Sequence, residues 1–226
     1  MARKDHPWLN LAPRWIARFH MHLTLYSQSE ERRRMMALFR ACDKERQCLL
    51  QPMEACQLMM ALTAVSKIGG DMAEVGAFQG VSAKLLALTA PHRTLHVFDT
   101  FEGLPAPCQR DSKGFRQGQY YATEKGVREY LAGMNARVYR GVFPENAAAV
   151  EGRTFAFVHL DADLYQSTKA SLEFFYPRVA GGGIIVAHDF APRHEGVYQA
   201  FQEFFERKPE PVIELAANQG MVVKLG

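Results

Sequence analysis

Four clusters in this chain combine residue types and spacings that could do chemistry, and each lies where an apolar run ends. Leu160-Asp161-Ala162-Asp163-Leu164-Tyr165 sets two carboxylates two residues apart, just past the apolar run that starts at Phe155. Burying an unpaired charge is costly, so packing alone does not ask for both. Carboxylates in such a place serve as cation ligands or as a general base. Ala187-His188-Asp189-Phe190 closes the next apolar run. If the two runs are neighbouring strands, His188 and Asp189 come close to Asp161 and form a cation site of mostly oxygen ligands. The third cluster, Asp71-Met-Ala-Glu74-Val-Gly76-Ala-Phe-Gln-Gly80, reads as a strand, a turn through Gly76 and a helix entered near Gly80. Glycine there lets backbone approach a ligand closely. The spacing is not the GxGxxG that aims helix N–H groups at a pyrophosphate. The looser glycines and the acidic Glu74 suit S-adenosylmethionine (SAM), which has no pyrophosphate, better than NAD. The fourth cluster is Asp99-Thr100-Phe101-Glu102-Gly103-Leu104-Pro105. A carboxylate at the end of a second strand accepts both ribose hydroxyl protons, so Asp99 reports an adenosyl ligand without choosing between SAM and NAD.

The elements that must position these residues follow from periodicity. Spacings of three and four among Met35, Leu38, Phe39 and Cys42 predict a helix from Glu30 to about Cys42, and Met53–Ser66 reads as a second, ending before Gly69-Gly70. Strands are expected at Asp71–Val75, Thr94–Asp99, Arg137–Arg140, Phe155–Asp161 and Ile184–Ala187. Helices are expected at Gly80–Thr89, Gln166–Val179 and Val197–Arg207. Near-continuous apolar strands separated by helices mean a parallel sheet covered on both faces. At the end, Val212–Leu215, Asn218-Gln219-Gly220 and Met221–Lys224 carry a hairpin signal, so the last strand should run antiparallel. The connection from Thr100 to Ala122 has no clear period. A connection that long is usually functional or disordered, and this one leaves the ligand side of an open α/β sheet.

Composition bounds the rest. With 226 residues, 48% hydrophobic and 23% charged, the chain suits one α/β domain that folds without a metal or disulfide staple. The expected division is an N-terminal helical extension over 1–66 and a main domain over 67–226. The net charge of +3 is uneven: residues 1–46 hold ten Lys and Arg against five Asp and Glu. A basic segment could face an anionic partner, but no basic cluster is interleaved with aromatics as a nucleic-acid groove requires. Cys42, Cys48, Cys56 and Cys108 match neither a zinc pattern nor a CxxC pair. No apolar run reaches the ~18 residues of a membrane span, and the N-terminus does not read as a signal peptide. The expectation is a cytoplasmic protein with reduced thiols. The aromatic residues 1–29 are a candidate homodimer surface.

Taken in order, Glu74-Val-Gly76, Asp99 to Pro105, Gly141-Val-Phe143-Pro144, Leu160 to Thr168 and Gly181-Gly182-Gly183-Ile-Ile-Val resemble the macrocin O-methyltransferase family, the sugar O-methyltransferases of macrolide and aminocoumarin biosynthesis. The resemblance runs from about Gly69 to Lys224. It implies a Rossmann-like class I methyltransferase: a seven-stranded, mostly parallel sheet in the order 3-2-1-4-5-7-6, with helices on both faces. It implies SAM as methyl donor and a divalent cation, usually Mg2+, that holds the acceptor hydroxyl. Carried over by position, Asp161 and Asp189 are cation ligands and Asp163 is the base. Glu74, Gly76, Ser82, Asp99 and Gly141 are SAM contacts. Ala77, Phe78, Gly80, Thr100, Phe101, Phe143 and Asp161, from the same motifs, complete the expected cofactor wall. The chain departs from the pattern at position 188, where the family has Asp and this sequence has His188. Imidazole suits Zn2+, Mn2+ or Fe2+ better than Mg2+. The departure leaves three outcomes open, a different metal with His188 as third ligand, a weakly bound metal, or none, and His188 could instead serve as a base, since its ordinary pKa is near ~6.5. The expected acceptor is a small, sugar-like molecule with a free hydroxyl, with a catechol-type acceptor also open because its vicinal oxygens ask for similar chemistry. The 100–122 connection and the N-terminal segment would close over it, and Tyr120, Tyr121 or Trp15 could stack on its ring. Two rival readings stay open: an NAD(P)-dependent oxidoreductase, and a SAM-binding protein without catalysis.

Overall fold

The computed structural model describes residues 29–192 and 195–226. The dimer surface and Trp15 contact expected within 1–29 lie outside the described residues, apart from Ser29. Helix α1 (Glu30–Glu45) starts where Ser29 Oγ accepts from Arg32 N–H at 3.1 Å, with Glu30 and Glu31 in the first turn favouring the positive end of the helix. Helix α2 (Pro52–Ala64) has Pro52 at its first position, and Glu54 reaches back to the Gln51 N–H at 2.7 Å. Then follow β1 (Asp71–Val75), α3 (Val81–Thr89), β2 (Leu95–Asp99), α4 (Glu124–Tyr130), β3 (Ala136–Arg140), β4 (Phe155–Leu160), α5 (Tyr165–Phe175), β5 (Val179–Ala187), α6 (Glu195–Phe205), β6 (Ile213–Glu214) and β7 (Gly220–Val223).

The strands form one seven-stranded sheet in the order β3-β2-β1-β4-β5-β7-β6. The first five are parallel, while β7 runs antiparallel to both β5 and β6. Side chains alternate between two cores, as the period of two requires. Met72, Val97, Phe157, Ile184 and Val186 face α1, α2 and α3. Ala73, Phe98, Val158, Ile185 and Ala187 face α5 and α6. The helices of the expected extension thus share a core with the sheet: Met36, Phe39, Leu58, Met59 and Leu62 are buried within it. Among the described residues no helix is long and apolar enough to cross a membrane.

Three boundaries differ from expectation for local reasons. Strand β5 starts at Val179 rather than Ile184, because Gly181-Gly182-Gly183 sits inside the strand as an irregularity and not ahead of it. Gly182 has φ +81°, and a Cβ on Gly183 would lie 2.8 Å from Val179 Cγ1 and 2.9 Å from the Ala180 carbonyl oxygen. Helix α5 stops at Phe175, and Pro177 carries the chain through a single 3-10 turn, Tyr176–Arg178. Strand β6 is only two residues long.

Backbone bonds extend the ladder one step past the strand ends. Gly76 N–H donates to Phe98 O, Asp161 N–H to Val75 O, and His188 N–H to Leu160 O, each at 2.8 Å. That row sets Gly76, Asp161 and His188 side by side. Gly76 has φ +88°, and a Cβ there would lie 1.9 Å from the Asp161 carbonyl oxygen. Its missing side chain therefore admits the neighbouring strand's backbone. Gly76→Ala is expected to cost roughly 2–4 kcal/mol from clash and strain together. Chemical denaturation measures it, and a loss below about 1 kcal/mol would show that the close approach is not needed.

Candidate active site

A cavity of about 500 Å³ opens at the carboxyl ends of β1, β2, β4 and β5, within the size range of small-molecule sites. Of the expected residues, Gly76, Phe78, Asp99, Thr100, Gly141, Phe143, Asp161, Asp163, His188 and Asp189 line it. Glu74, Ala77, Gly80, Ser82 and Phe101 do not. Glu74 is wholly buried beneath the wall, with Oε1 2.9 Å from His159 Nδ1. Strand register explains this, because Glu74 and His159 are paired across β1 and β4. Burial pushes the Glu74 carboxyl up, against the pull of His159 and Ser82. Gly80 caps α3 at φ +85°, and a Cβ there would meet Val127 and Tyr130 rather than a ligand.

Asp99 is held from three sides. Its Oδ2 accepts from Ala77 N–H at 2.7 Å and Phe78 N–H at 3.0 Å, and its Oδ1 accepts from Phe101 N–H at 2.7 Å. Burial raises its pKa, and those three N–H groups pull it back in part. The carboxylate ties the β1–α3 turn to the end of β2 and keeps lone pairs for a ligand. Backbone strain collects here as well. Phe78, Phe101, Tyr120, Asp163 and Asp189 all have positive φ, between 46° and 62°, and four of the five line the cavity. Non-glycine residues persist in that region only where surrounding structure holds them, commonly at functional sites.

The carboxylates and the histidine converge. His188 Nδ1 lies 3.1 Å from Asp161 Oδ1 and 3.6 Å from Asp189 Oδ1. On the far side of the ring, Nε2 lies 3.2 Å from Glu54 Oε2. Burial opposes a charge on His188, but Asp161, Glu54 and Asp189 outweigh it and its pKa is pushed up to about 12. The ring is thus an imidazolium when no other cation is present. Burial would raise Asp161, but His188 holds it below the ordinary carboxylate range. Asp163 goes the other way: burial, then the charges of Asp161 and Asp189, push its carboxyl well up. Neighbouring groups with opposed shifts are a common feature of acid–base sites. Asp161, His188 and Asp189 also offer three ligand atoms within 4.8 Å of one another. One nitrogen and two carboxylate oxygens at that spacing fit a divalent cation.

Sequence reasoning did not reach Glu54, Gln51, Leu49, Phe115, Ser167 or Asn218, which also line the cavity. A capping box announces Glu54 only as a helix start. The 100–122 connection is pinned by another residue without a local signal. Asp111 Oδ1 accepts from Tyr165 N–H at 2.7 Å, which caps α5 from 54 residues away, and Oδ2 accepts from Cys108 N–H. Arg110 reinforces the tie, with its guanidinium over the Tyr165 ring and 2.9 Å from Glu203. Asp111→Ala is expected to cost about 1 kcal/mol as a lost cap and to raise the acceptor KM while leaving S-adenosylhomocysteine affinity alone. An unchanged KM would show that this anchor does not shape the acceptor side.

The fold is that of class I O-methyltransferases. The O-methyltransferase NovP superposes with a TM-score of 0.64 at 21% identity, covering 78% of this chain and 82% of that one. A calicheamicin methyltransferase gives 0.64 at 18% identity, covering 88% and 95%. An O-methyltransferase from Bacillus cereus, in complex with S-adenosylhomocysteine, gives 0.58 at 16%, covering 92% and 97%. In sequence, residues 49–217 match the family described as Macrocin-O-methyltransferase (TylF), and the chain belongs to that family. It is 26% identical over 142 residues to demethyldecarbamoylnovobiocin O-methyltransferase of Streptomyces niveus, which covers 55% of this chain. It is also 26% identical over 160 residues to a Streptomyces olivaceus enzyme named as a 4'-O-methyltransferase of a rhamnosyl tetracenomycin, which covers 63% of this chain. The matched stretches span 54% and 61% of those relatives' own lengths.

Proposed function

We propose that this protein is a SAM-dependent O-methyltransferase acting on a hydroxyl of a small, sugar-bearing molecule. The observation that carries the reading is one cavity with an adenosyl-type carboxylate, Asp99, at one strand end and Asp161, Asp163, His188 and Asp189 at the neighbouring ends. Family membership supports it, as do the rhamnosyl acceptor in one relative's name and the bound S-adenosylhomocysteine of a structural neighbour. In this reading Asp99 receives the ribose hydroxyls. Gly76, Phe78, Gly141 and Phe143 enclose the cofactor, and Glu74 braces the wall from below.

The methyl group passes by SN2 displacement from sulfonium to the acceptor oxygen. The sulfonium is already activated, so the protein's work is alignment and removal of one proton. Alignment supplies roughly 7–11 kcal/mol, and a placed base about 100- to 10,000-fold. Asp163 takes the hydroxyl proton; its raised pKa makes it a stronger base than a free carboxylate. Asp161, His188 and Asp189 would hold a divalent cation, which when bound lowers the acceptor hydroxyl's pKa. Tyr120 carries the 100–122 connection onto the cofactor wall, with its ring edge-on to Phe78 at 6.0 Å, and in this reading screens the reacting atoms from water.

Calorimetric titration of S-adenosylhomocysteine, with a divalent cation and again with EDTA, tests the donor site. Micromolar or tighter binding in both runs is expected. Absence of binding in both would overturn the reading.

A further inference from the structure

We propose that Glu54 is a positioning residue: it holds the His188 ring so that Nδ1 faces Asp161 and Asp189, and this makes a nitrogen–oxygen site that takes Mn2+ in preference to Mg2+. The inference rests on the cation site of the preceding reading and concerns which ion that site selects and how.

The two ring nitrogens point opposite ways, and each has a carboxylate in reach. Nε2 meets Glu54 Oε2 at 3.2 Å, while Nδ1 meets Asp161 Oδ1 at 3.1 Å. A cation bound there would displace the Nδ1 proton, and the Nε2–H kept on Glu54 would leave the Nδ1 lone pair directed at the site shared with Asp161 and Asp189. A histidine that ligates a metal commonly gives its other N–H to a carboxylate, which sets the tautomer and raises the ring's basicity.

Glu54 is built for that part. It is 1% exposed and is fixed by the Gln51 N–H at 2.7 Å. It lines the same cavity, although it stands on α2, far in sequence from the other ligand-bearing positions. Its second oxygen, Oε1, is buried with no partner among the described residues. A helix cap alone does not require a carboxylate so deep, since exposed caps serve equally well. The selectivity follows from ligand chemistry: Mg2+ demands oxygen and near-ideal octahedral geometry, while imidazole favours transition ions.

The test is a Mn2+ titration of the full chain saturated with S-adenosylhomocysteine, with free Mn2+ followed by electron paramagnetic resonance and the series repeated against Mg2+. The expected wild-type result is Mn2+ binding that Mg2+ displaces only in at least about tenfold excess. Glu54→Gln is expected to weaken Mn2+ binding by about 10- to 100-fold with unchanged S-adenosylhomocysteine affinity, which also reports that the variant is folded. The double variant Glu54→Gln/His188→Asp restores three oxygen ligands and is expected to shift the preference toward Mg2+. Wild-type affinity for Mn2+ in a folded Glu54→Gln, or equal competition by Mg2+ in the wild type, overturns the proposal. So does a wild type that binds neither ion while still binding S-adenosylhomocysteine, a result that leaves the methyltransferase reading standing. If Glu54→Gln does not fold, the wild-type preference and the double variant decide. Loss of S-adenosylhomocysteine binding by the wild type would sink the methyltransferase reading itself.

Discussion

Asp163→Asn is expected to lower kcat by about 100- to 10,000-fold, the range for losing a placed base, with little change in S-adenosylhomocysteine affinity. The substitution is nearly isosteric, and position 163 has φ +57°, a left-handed conformation that Asn tolerates better than most residues. The backbone therefore has no reason to move. Burial and the charges of Asp161 and Asp189 raise the Asp163 pKa against the weaker attraction of His188, and an amide can still donate the hydrogen bond to Asp189, so the neutral side chain relieves a net repulsion and should, if anything, stabilise the fold. A variant more stable yet far slower separates a role in proton transfer from a role in structure. The pH dependence points the same way. A base whose pKa is raised ionises later, so the wild-type rate should fall on acidification at a pH above the ordinary carboxylate range. Single-turnover kinetics with a bound acceptor measure both effects. A kcat within about threefold of wild type would remove Asp163 from the reaction.

What could be read from residues alone divides by range. Strand ends were legible because β4, apolar but for His159, and β5 stop before Asp161 and His188. The hairpin signal at Asn218-Gln219-Gly220 marked the antiparallel β7, and the strand order implied by the family resemblance is the order found. Glycine was harder to interpret. In Gly181-Gly182-Gly183 the close packing of Val179 and Ala180 decides the conformation, and no local pattern tells a strand irregularity from a turn. In sequence Gly76 reads as making room for a ligand, whereas its missing Cβ makes room for the Asp161 carbonyl. Glu74 reads as a cofactor contact from its acidic side chain and the family resemblance, but the register across β1 and β4 sets it beside His159. Glu54 and Asp111 act across 134 and 54 residues of sequence, and contacts of that range leave no periodic trace.

His188→Leu is expected to destabilise the metal-free protein by about 3–5 kcal/mol, the cost of removing one partner from a buried ion pair. For a chain of this size that is a fall in Tm of roughly 6–20 °C. The penalty arises at Glu54. That carboxylate is 1% exposed, and among the described residues it keeps, without His188, only the Gln51 N–H. Asp161 also loses a partner, but its side chain is 25% exposed and water can replace the imidazole. The pH dependence carries a sign. The folded pKa of His188 lies at about 12 against an ordinary 6.5. Its contribution is therefore complete below about 6.5 and is lost as pH rises toward 12, because the unfolded chain gives up the proton first. Wild-type stability in EDTA should decline from neutral to alkaline pH with a component that His188→Leu lacks. Adding Glu54→Gln to His188→Leu removes the stranded charge, keeps the cap, and should recover most of the loss. If the double variant is no more stable than His188→Leu alone, the cost lies in packing around the ring, and the Glu54–His188 pair is not what holds α2 against the site.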